Sequence, residues 1–350
     1  MSHNILVTGA SGYLGGSLLA RWERNSLPPY GHLYALVRSD EHAQAVKQYG
    51  AEPLQCDIND HENLKKIIVD NGISIVFFLI DSFTAQHQPP IIEALAQVKA
   101  TTGKEVHFVH TGGAKHFSEH AGIHRDKPLL DTDPELYNIL KTSYAPLEFV
   151  RRTTGTNITV IDTCEKYGVR GYIFAPCIVY GRGEGFGNQT SIQDVAIVKA
   201  AVKARRVYKV DTGNPTWPVC HIVDNTNLYL QMVRNMLLGN DIGYNKHGFY
   251  LAASGSVHWN DLYASVAAAL AKRNRVEDAT VVQADDAAIA TMGEGLGVSP
   301  DLVPLMLGGT CVFTAVNGGR IGWKAQYPPE HIFEAVDEGV GLILESLDRN

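Results

Sequence analysis

The chain has 350 residues, 45% of them apolar and 19% charged, with a formal net charge of -7. That supplies core for one large or two modest domains, and the negative balance gives no overall attraction to nucleic acid or acidic membranes. No apolar run reaches the roughly 18 residues of a membrane span, the first residues lack the basic-then-apolar order of a secretory signal, and five scattered cysteines without a C-x-x-C pair fit a reduced cytoplasmic protein with no metal site.

Ile5, Leu6 and Val7 form a short apolar run, the mark of a strand buried on both faces. Gly9, Gly12 and Gly15 follow as G-x-x-G-x-x-G, and then Leu14, Leu18, Leu19 and Trp22 recur at helical spacing. Strand, glycine turn and helix in this order place a pyrophosphate on a helix N-terminus. Gly9 lets the chain turn, Gly12 lets backbone approach phosphate, and Gly15 lets helix pack on strand, with Ser11, Tyr13 and Leu14 completing the bend.

Residues 33–37 form the second strand, ending in Arg38. A carboxylate at this place favours NAD through the ribose 2′-hydroxyl, whereas a guanidinium pairs with a 2′-phosphate. Arg38 therefore predicts NADP, with NAD as the alternative. A helix over 42–49 and a strand over 52–55 lead to Asp57, which either accepts from the adenine amine or caps a helix over 61–69. Residues 73–80 are a strongly apolar strand that brings Leu79 to the cofactor, and 90–101 a helix. Residues 106–109 form a fifth strand leading to Thr111, Gly112, Gly113, Lys115 and His116. The alternation predicts a doubly wound parallel sheet with its ligands beyond the carboxyl ends of the strands.

With Val7-Thr8-Gly9-Ala10-Ser11-Gly12-Tyr13-Leu14-Gly15, Ala175-Pro176-Cys177-Ile178-Val179-Tyr180-Gly181 and Val219-Cys220-His221-Ile222-Val223-Asp224, the chain resembles the extended short-chain dehydrogenase/reductases of the epimerase and dehydratase type. NmrA-type regulators share the opening. The resemblance implies an α/β fold, a doubly wound parallel Rossmann sheet over 1–177 with 218–250 returning to it, and a smaller C-terminal α/β substrate domain over 178–217 and 251–350. It carries Pro176 and Ile178 past the nicotinamide.

The family's catalytic set is a serine or threonine after the fifth strand and a Y-x-x-x-K pair, the lysine lowering the tyrosine pKa. Thr111 is the nearby hydroxyl, and Tyr137-Asn138-Ile139-Leu140-Lys141 matches the pair at i, i+4 spacing. Against this, Pro146 should interrupt a helix close to Tyr137, and residues 151–156 read as a loop before a helix over 158–167 capped by Gly168. Counting back from that cap by a family-like helix length reaches 150–154, where no tyrosine or lysine stands. Tyr144 lacks a lysine partner, since Glu148 holds that place, and Lys115 and His116 are alternative proton carriers.

Further on, residues 172–175 form the sixth strand, and Gly181, Gly183, Gly185 and Gly187 alternate in what reads as a mobile substrate loop. A helix over 192–203, Arg205 and Arg206 as diphosphate ligands or a solvated helix end, and short strands at 207–210 and 217–219 follow. His221 and Asp224 are architectural in the family frame. Helices over 225–237, 256–271 and 330–347 and a strand over 249–252 complete the chain. The expected function is NADP-dependent reduction of a carbonyl on a small-molecule substrate. The alternatives are a non-redox epimerase, dehydratase or cyclase, and a dinucleotide-sensing protein without turnover. Segments near 90–101 and 135–150 could pair across a two-fold axis as a homodimer.

Overall fold

The computed structural model describes residues 2–124 and 127–349. Its first half alternates strand and helix: β1 (Asn4–Val7), α1 (Tyr13–Trp22), β2 (Leu33–Val37), α2 (Asp40–Lys47), β3 (Glu52–Gln55), α3 (His61–Asp70), β4 (Ile73–Phe78), α4 (Gln88–Thr102) and β5 (His107–Thr111). The continuous apolar runs of β2 and β4 are buried along their whole length, as strands covered on both faces must be. Ser39 and Asp60 cap α2 and α3 by accepting from His42 N and Asn63 N, and Gly103 ends α4 in the left-handed region.

A short strand β6 (Leu129–Leu130) and a helix α5 (Leu136–Thr142) precede α6 (Glu148–Tyr167) and β7 (Arg170–Pro176). Here the structure corrects the sequence. Residues 151–156 are helical, because Pro146 lies just before α6 rather than inside it, where it ends one helix and allows the next to start. The polar run Thr153, Thr154, Thr156 and Asn157 that suggested a loop is the buried face of this helix.

The chain continues through β8 (Ile178–Tyr180), α7 (Ile192–Ala204), β9 (Val207–Lys209), β10 (Thr216–His221), α8 (Ile222–Leu237), β11 (Phe249–Ala252), β12 (Gly255–His258), α9 (Trp259–Lys272), β13 (Val281–Gln283), α10 (Asp286–Leu296), α11 (Val303–Leu307), β14 (Phe313–Thr314), α12 (Val316–Arg320) and α13 (His331–Arg349). A seven-stranded sheet runs β11-β7-β5-β4-β1-β2-β3, and each neighbouring pair in it is parallel. The three-stranded sheet β12-β10-β8 and the pair β13-β9 lie outside it. Among the described residues no helix is long and apolar enough to cross a membrane.

One segment fills the space between the large sheet and the C-terminal elements. The carbonyl of Thr310 accepts from Glu119 N and that of Val312 from Leu129 N, while Cys311 N donates to Thr216 O. Trp259 Nε1 donates to Gly309 O, Gly309 N donates to Asp211 Oδ2, and β14 pairs with β6. Cys311 Sγ lies 3.5 Å from Ala114 O, so residues 307–314 pack against the turn that follows β5.

Candidate functional site

The glycine bend follows β1. Gly9 takes a φ of 68°, open to glycine at little cost. A Cβ on Gly9 would stand 2.8 Å from Leu79 O, and one on Gly15 would run into Gly9 O. Thr8 Oγ1 accepts from Leu79 N, locking the end of β4 to the bend. Helix α1 has Gly12 at its N-cap and no side-chain cap, so its first N–H groups are left to other acceptors. Backbone donors, a helix dipole and the absence of Cβ atoms fit a pyrophosphate. Gly9, Ser11, Gly12, Tyr13, Leu14 and Leu79 are brought together here.

Arg38 stands exposed at the end of β2. Among the described residues it makes no hydrogen bond or ion pair, and its charge acts on Asp57 at the end of β3. Asp57 does not cap α3, which Asp60 does. It accepts from Asn59 N and Asn59 Nδ2, and these bonds, more than Arg38, hold its carboxyl below the ordinary value. Pro176 ends β7, half-buried, and Ile178 is buried in β8.

The alternating glycines are not a loose loop. Residues 181–189 form a strap fastened to the outer side of the bend. Tyr13 OH donates to Gly181 O at 2.7 Å, Asn188 N donates to Ser11 O at 2.9 Å, and Glu184 N donates to Ser17 Oγ at 3.1 Å. Arg21 grips Glu184 with two bonds, of 2.5 and 2.9 Å. A Cβ on Gly183 would stand 2.8 Å from the Tyr13 ring and one on Gly185 would stand 2.5 Å from Gly16 Cα. Phe186, next to Gly185, reaches α2 and the turn after it, 5.4 Å from the His42 ring and 6.3 Å from that of Tyr49.

The expected catalytic residues are not assembled at the carboxyl end of β5. Tyr137 and Lys141 do share a face of α5, with Lys141 Nζ 2.9 Å from Tyr137 OH. Their surroundings, however, are the last turns of α6 and the segment before β11. Tyr137 OH donates to Asp162 at 2.5 Å, and Lys246 lies over the Tyr137 ring while pairing with Glu165. Asn245, next to Lys246, accepts from Gly171 N at the start of β7. In a parallel sheet that is the amino end, opposite the glycine bend. Burial and the Asp162 bond raise the Tyr137 phenol above its ordinary value, the reverse of what an acid/base tyrosine needs. The pair is a local hydrogen-bonded tie.

Thr111 also faces away. Its hydroxyl is 2.7 Å from the OH of Tyr229 in α8, whose ring stacks on Phe174 at 3.6 Å. At the carboxyl end, the first turn of α6 carries Phe149, packed 5.4 Å from Phe83.

What does gather there is a polar cluster that the sequence did not single out as a whole. Asn157 of α6 lies 3.0 Å from His116 Nδ1, and both approach Gly112. Both ring nitrogens of His110, Asn157 Oδ1 and Thr154 Oγ1 are buried without a partner among the described residues. Burial drives His110 to about 3 and His116, with help from Lys115, to about 4, so both rings are neutral. Lys115, one residue earlier on a 3-10 turn at Ala114–Phe117, has no ion-pair or hydrogen-bond partner among the described residues, and desolvation lowers it to about 8. The signal for this cluster was the polar run 153–157, which becomes legible only once α6 is known to be continuous.

Residues 1–150 match the sequence model of the NmrA-like family. No curated protein sequence matches the chain. Solved structures align over almost its whole length. The UDP-glucose 4-epimerase of Thermotoga maritima, determined with UDP-glucose, is 14% identical with a TM-score of 0.64, over 98% of this chain and 99% of that one. A dTDP-glucose 4,6-dehydratase of Bacillus anthracis, in complex with NAD, is 11% identical with a TM-score of 0.64, over 99% and 98%. Vestitone reductase of alfalfa is 14% identical with a TM-score of 0.61, over 97% and 98%. The chain shares the fold of these proteins. On it the glycine bend is intact, while His110, Lys115, His116 and Asn157 gather at the carboxyl end of β5.

Proposed function

We propose that this protein binds a nicotinamide dinucleotide across the glycine bend, NADP in preference to NAD, and works as a dinucleotide-responsive binding protein rather than through tyrosine-driven turnover. Gly9, Ser11, Gly12, Tyr13 and Leu14 would hold the pyrophosphate, Arg38 the 2′-phosphate, Asp57 and Leu79 the adenine side, and Pro176 and Ile178 would border the nicotinamide. Bound cofactor would supply a hydride-transfer couple. The observation that carries the proposal is the displacement of Tyr137 and Lys141 to the amino end of the sheet, bonded to Asp162. The NmrA-like match over the first 150 residues supports it, as does the packing of 307–314 against the turn that follows β5.

A second reading has one observation in its favour. Lys115 has no side-chain partner among the described residues, stands just after β5, and is lowered by desolvation to about 8, within reach of physiological pH as a proton donor to a reduced carbonyl. That reading makes the protein an NADP-dependent oxidoreductase acting on a small molecule; vestitone reductase, a solved structure of this fold, is named as a reductase. Calorimetric titration with NADPH and NADH, followed by NADPH oxidation against a panel of aldehydes and ketones, separates the two. Binding without oxidation supports the responsive protein. Oxidation lost in Lys115→Met, with NADPH binding kept, supports the reductase. Failure to bind either dinucleotide rejects both.

A further inference from the structure

The strap has a second face. Turned from the glycine bend, it forms one wall of a cavity of about 400 Å³ whose other walls are the head of α8, the start of α7 and the helix α13. Arg21 of the last turn of α1 stands at its edge, and no residue of the polar cluster near β5 lines it.

Its lining is chemically one-sided. Four carboxylates (Glu184, Asp194, Glu334 and Glu338) face it against two guanidiniums. Arg21 is already committed to Glu184, and Arg182 leans on Gln189 Oε1 at 3.2 Å. Asp194 is the deep one. It sits in the first turn of α7, but Ser191 caps that helix, and the Asp194 carboxylate has no hydrogen-bond or ion-pair partner among the described residues. It also borders a small apolar recess formed by Val198, Leu262, Val266 and Val340. One wall is aromatic: the His221 and Tyr327 rings are 4.0 Å apart, and His331 lies 4.7 Å from Tyr327. His221 is held neutral by burial and by His331, at about 4. Gly339, in the middle of α13, borders both the cavity and the recess, and a Cβ there would meet nothing within 4 Å. Glycine inside a helix costs about 1 kcal/mol relative to alanine, and here its effect is to keep the cavity wide.

We propose that this cavity is a binding site for a small organic cation, an alkylammonium whose charged head meets Asp194 and whose short tail lies along the apolar side of α13. A half-buried carboxylate without a partner among the described residues gains from a cation brought into the same pocket, and the ring of Tyr327 presents a face that favours positive charge. An anion would meet the carboxylate excess. The groups facing Asp194 agree with this assignment: Tyr13 from α1, Tyr180 from β8, Arg182 and Glu184 from the strap, His221 from the end of β10, and His331, Glu334 and Glu338 from α13, while α9 offers only Leu262 and Val266. The assignment does not depend on the dinucleotide.

The test is calorimetric titration of the full chain with n-butylammonium, with butyrate and n-butanol as the anionic and neutral controls. One-to-one binding of butylammonium is expected, at least about tenfold tighter than either control. Asp194→Asn should weaken it by about tenfold or more. Gly339→Leu, which fills the cavity without touching a charge, should abolish it while α13 folds normally by circular dichroism; it keeps the test valid if Asp194→Asn fails to fold. No butylammonium binding to the unaltered protein, equal affinity for butyrate, or full affinity in the Gly339→Leu variant would overturn the proposal.

Discussion

Gly185 and Gly16 meet backbone to backbone: a Cβ on Gly185 would stand 2.5 Å from the Gly16 Cα. Close packing explains the glycines of the strap: a Cβ on Gly183, Gly185 or Gly187 would run into the Tyr13 ring, Gly16 or Ser11, while Gly181 takes a φ of 94° beside the His221 ring. Gly185→Val should therefore cost about 1–3 kcal/mol through overpacking. Urea unfolding measures the loss, and hydrogen exchange should show Asn188 N, which donates to Ser11 O, losing protection. Unchanged stability with unchanged protection would mean that the strap does not hold in solution.

In the function proposed above, coenzyme choice turns on Arg38. It is exposed, without a hydrogen bond or ion pair among the described residues, at the end of β2. Pairing a guanidinium with a 2′-phosphate is charge-assisted and bidentate. Arg38→Asp should weaken NADP by roughly 10- to 100-fold while changing NAD by less than about threefold. Titration of both coenzymes checks this, and equal losses would remove Arg38 from the 2′-phosphate.

Tyr137→Phe tests the displaced pair. The phenol bonds Asp162 and Lys141 far from the glycine bend, so its removal should leave dinucleotide affinity, and any NADPH oxidation, unaltered. Losing the hydroxyl should cost about 1 kcal/mol of stability, the worth of an ordinary hydrogen bond. A collapse of turnover in this variant would restore Tyr137 to the chemistry and reject the geometry described here.

The contrast between Tyr137 and Gly9 shows what the sequence could reveal. The bend was legible because its information is local: strand, turn and helix follow one another without a break from Asn4 to Trp22, and the glycines stand at the turn between them. Tyr137 and Lys141 satisfied a local pattern too, but their role depends on which end of the sheet α5 reaches, and that is decided by Asp162 and Lys246, 25 and 109 residues away. The same holds for 181–189. Four glycines in alternation signal either freedom or close packing, and only the contact with Ser11, Tyr13 and Gly16 distinguishes them. The helical state of 151–156 was hidden for another reason: threonines weaken local helix propensity, and burial against the sheet overrides them.

Lys115 makes the stability of the protein depend on pH with a definite sign. Its pKa in the fold is about 8, against 10.5 for the free side chain, and the cause is desolvation. Below pH 8 both folded and unfolded states hold the proton, and the folded state bears the cost of the buried ammonium. Between 8 and 10.5 the unfolded chain binds more protons than the folded one, so this residue's contribution rises with pH, and above 10.5 the cost is gone. Lys115→Met should accordingly stabilise the protein by about 1–3 kcal/mol at pH 7, the lower figure allowing for the partial exposure the side chain retains. The advantage should shrink as pH approaches 10. Urea unfolding of the unaltered protein and the variant at pH 7 and at pH 9.5 isolates the residue, because every other titrating group is common to both. An advantage independent of pH would mean that Lys115 reaches water freely, and with that its standing as a proton donor beside β5 would fall.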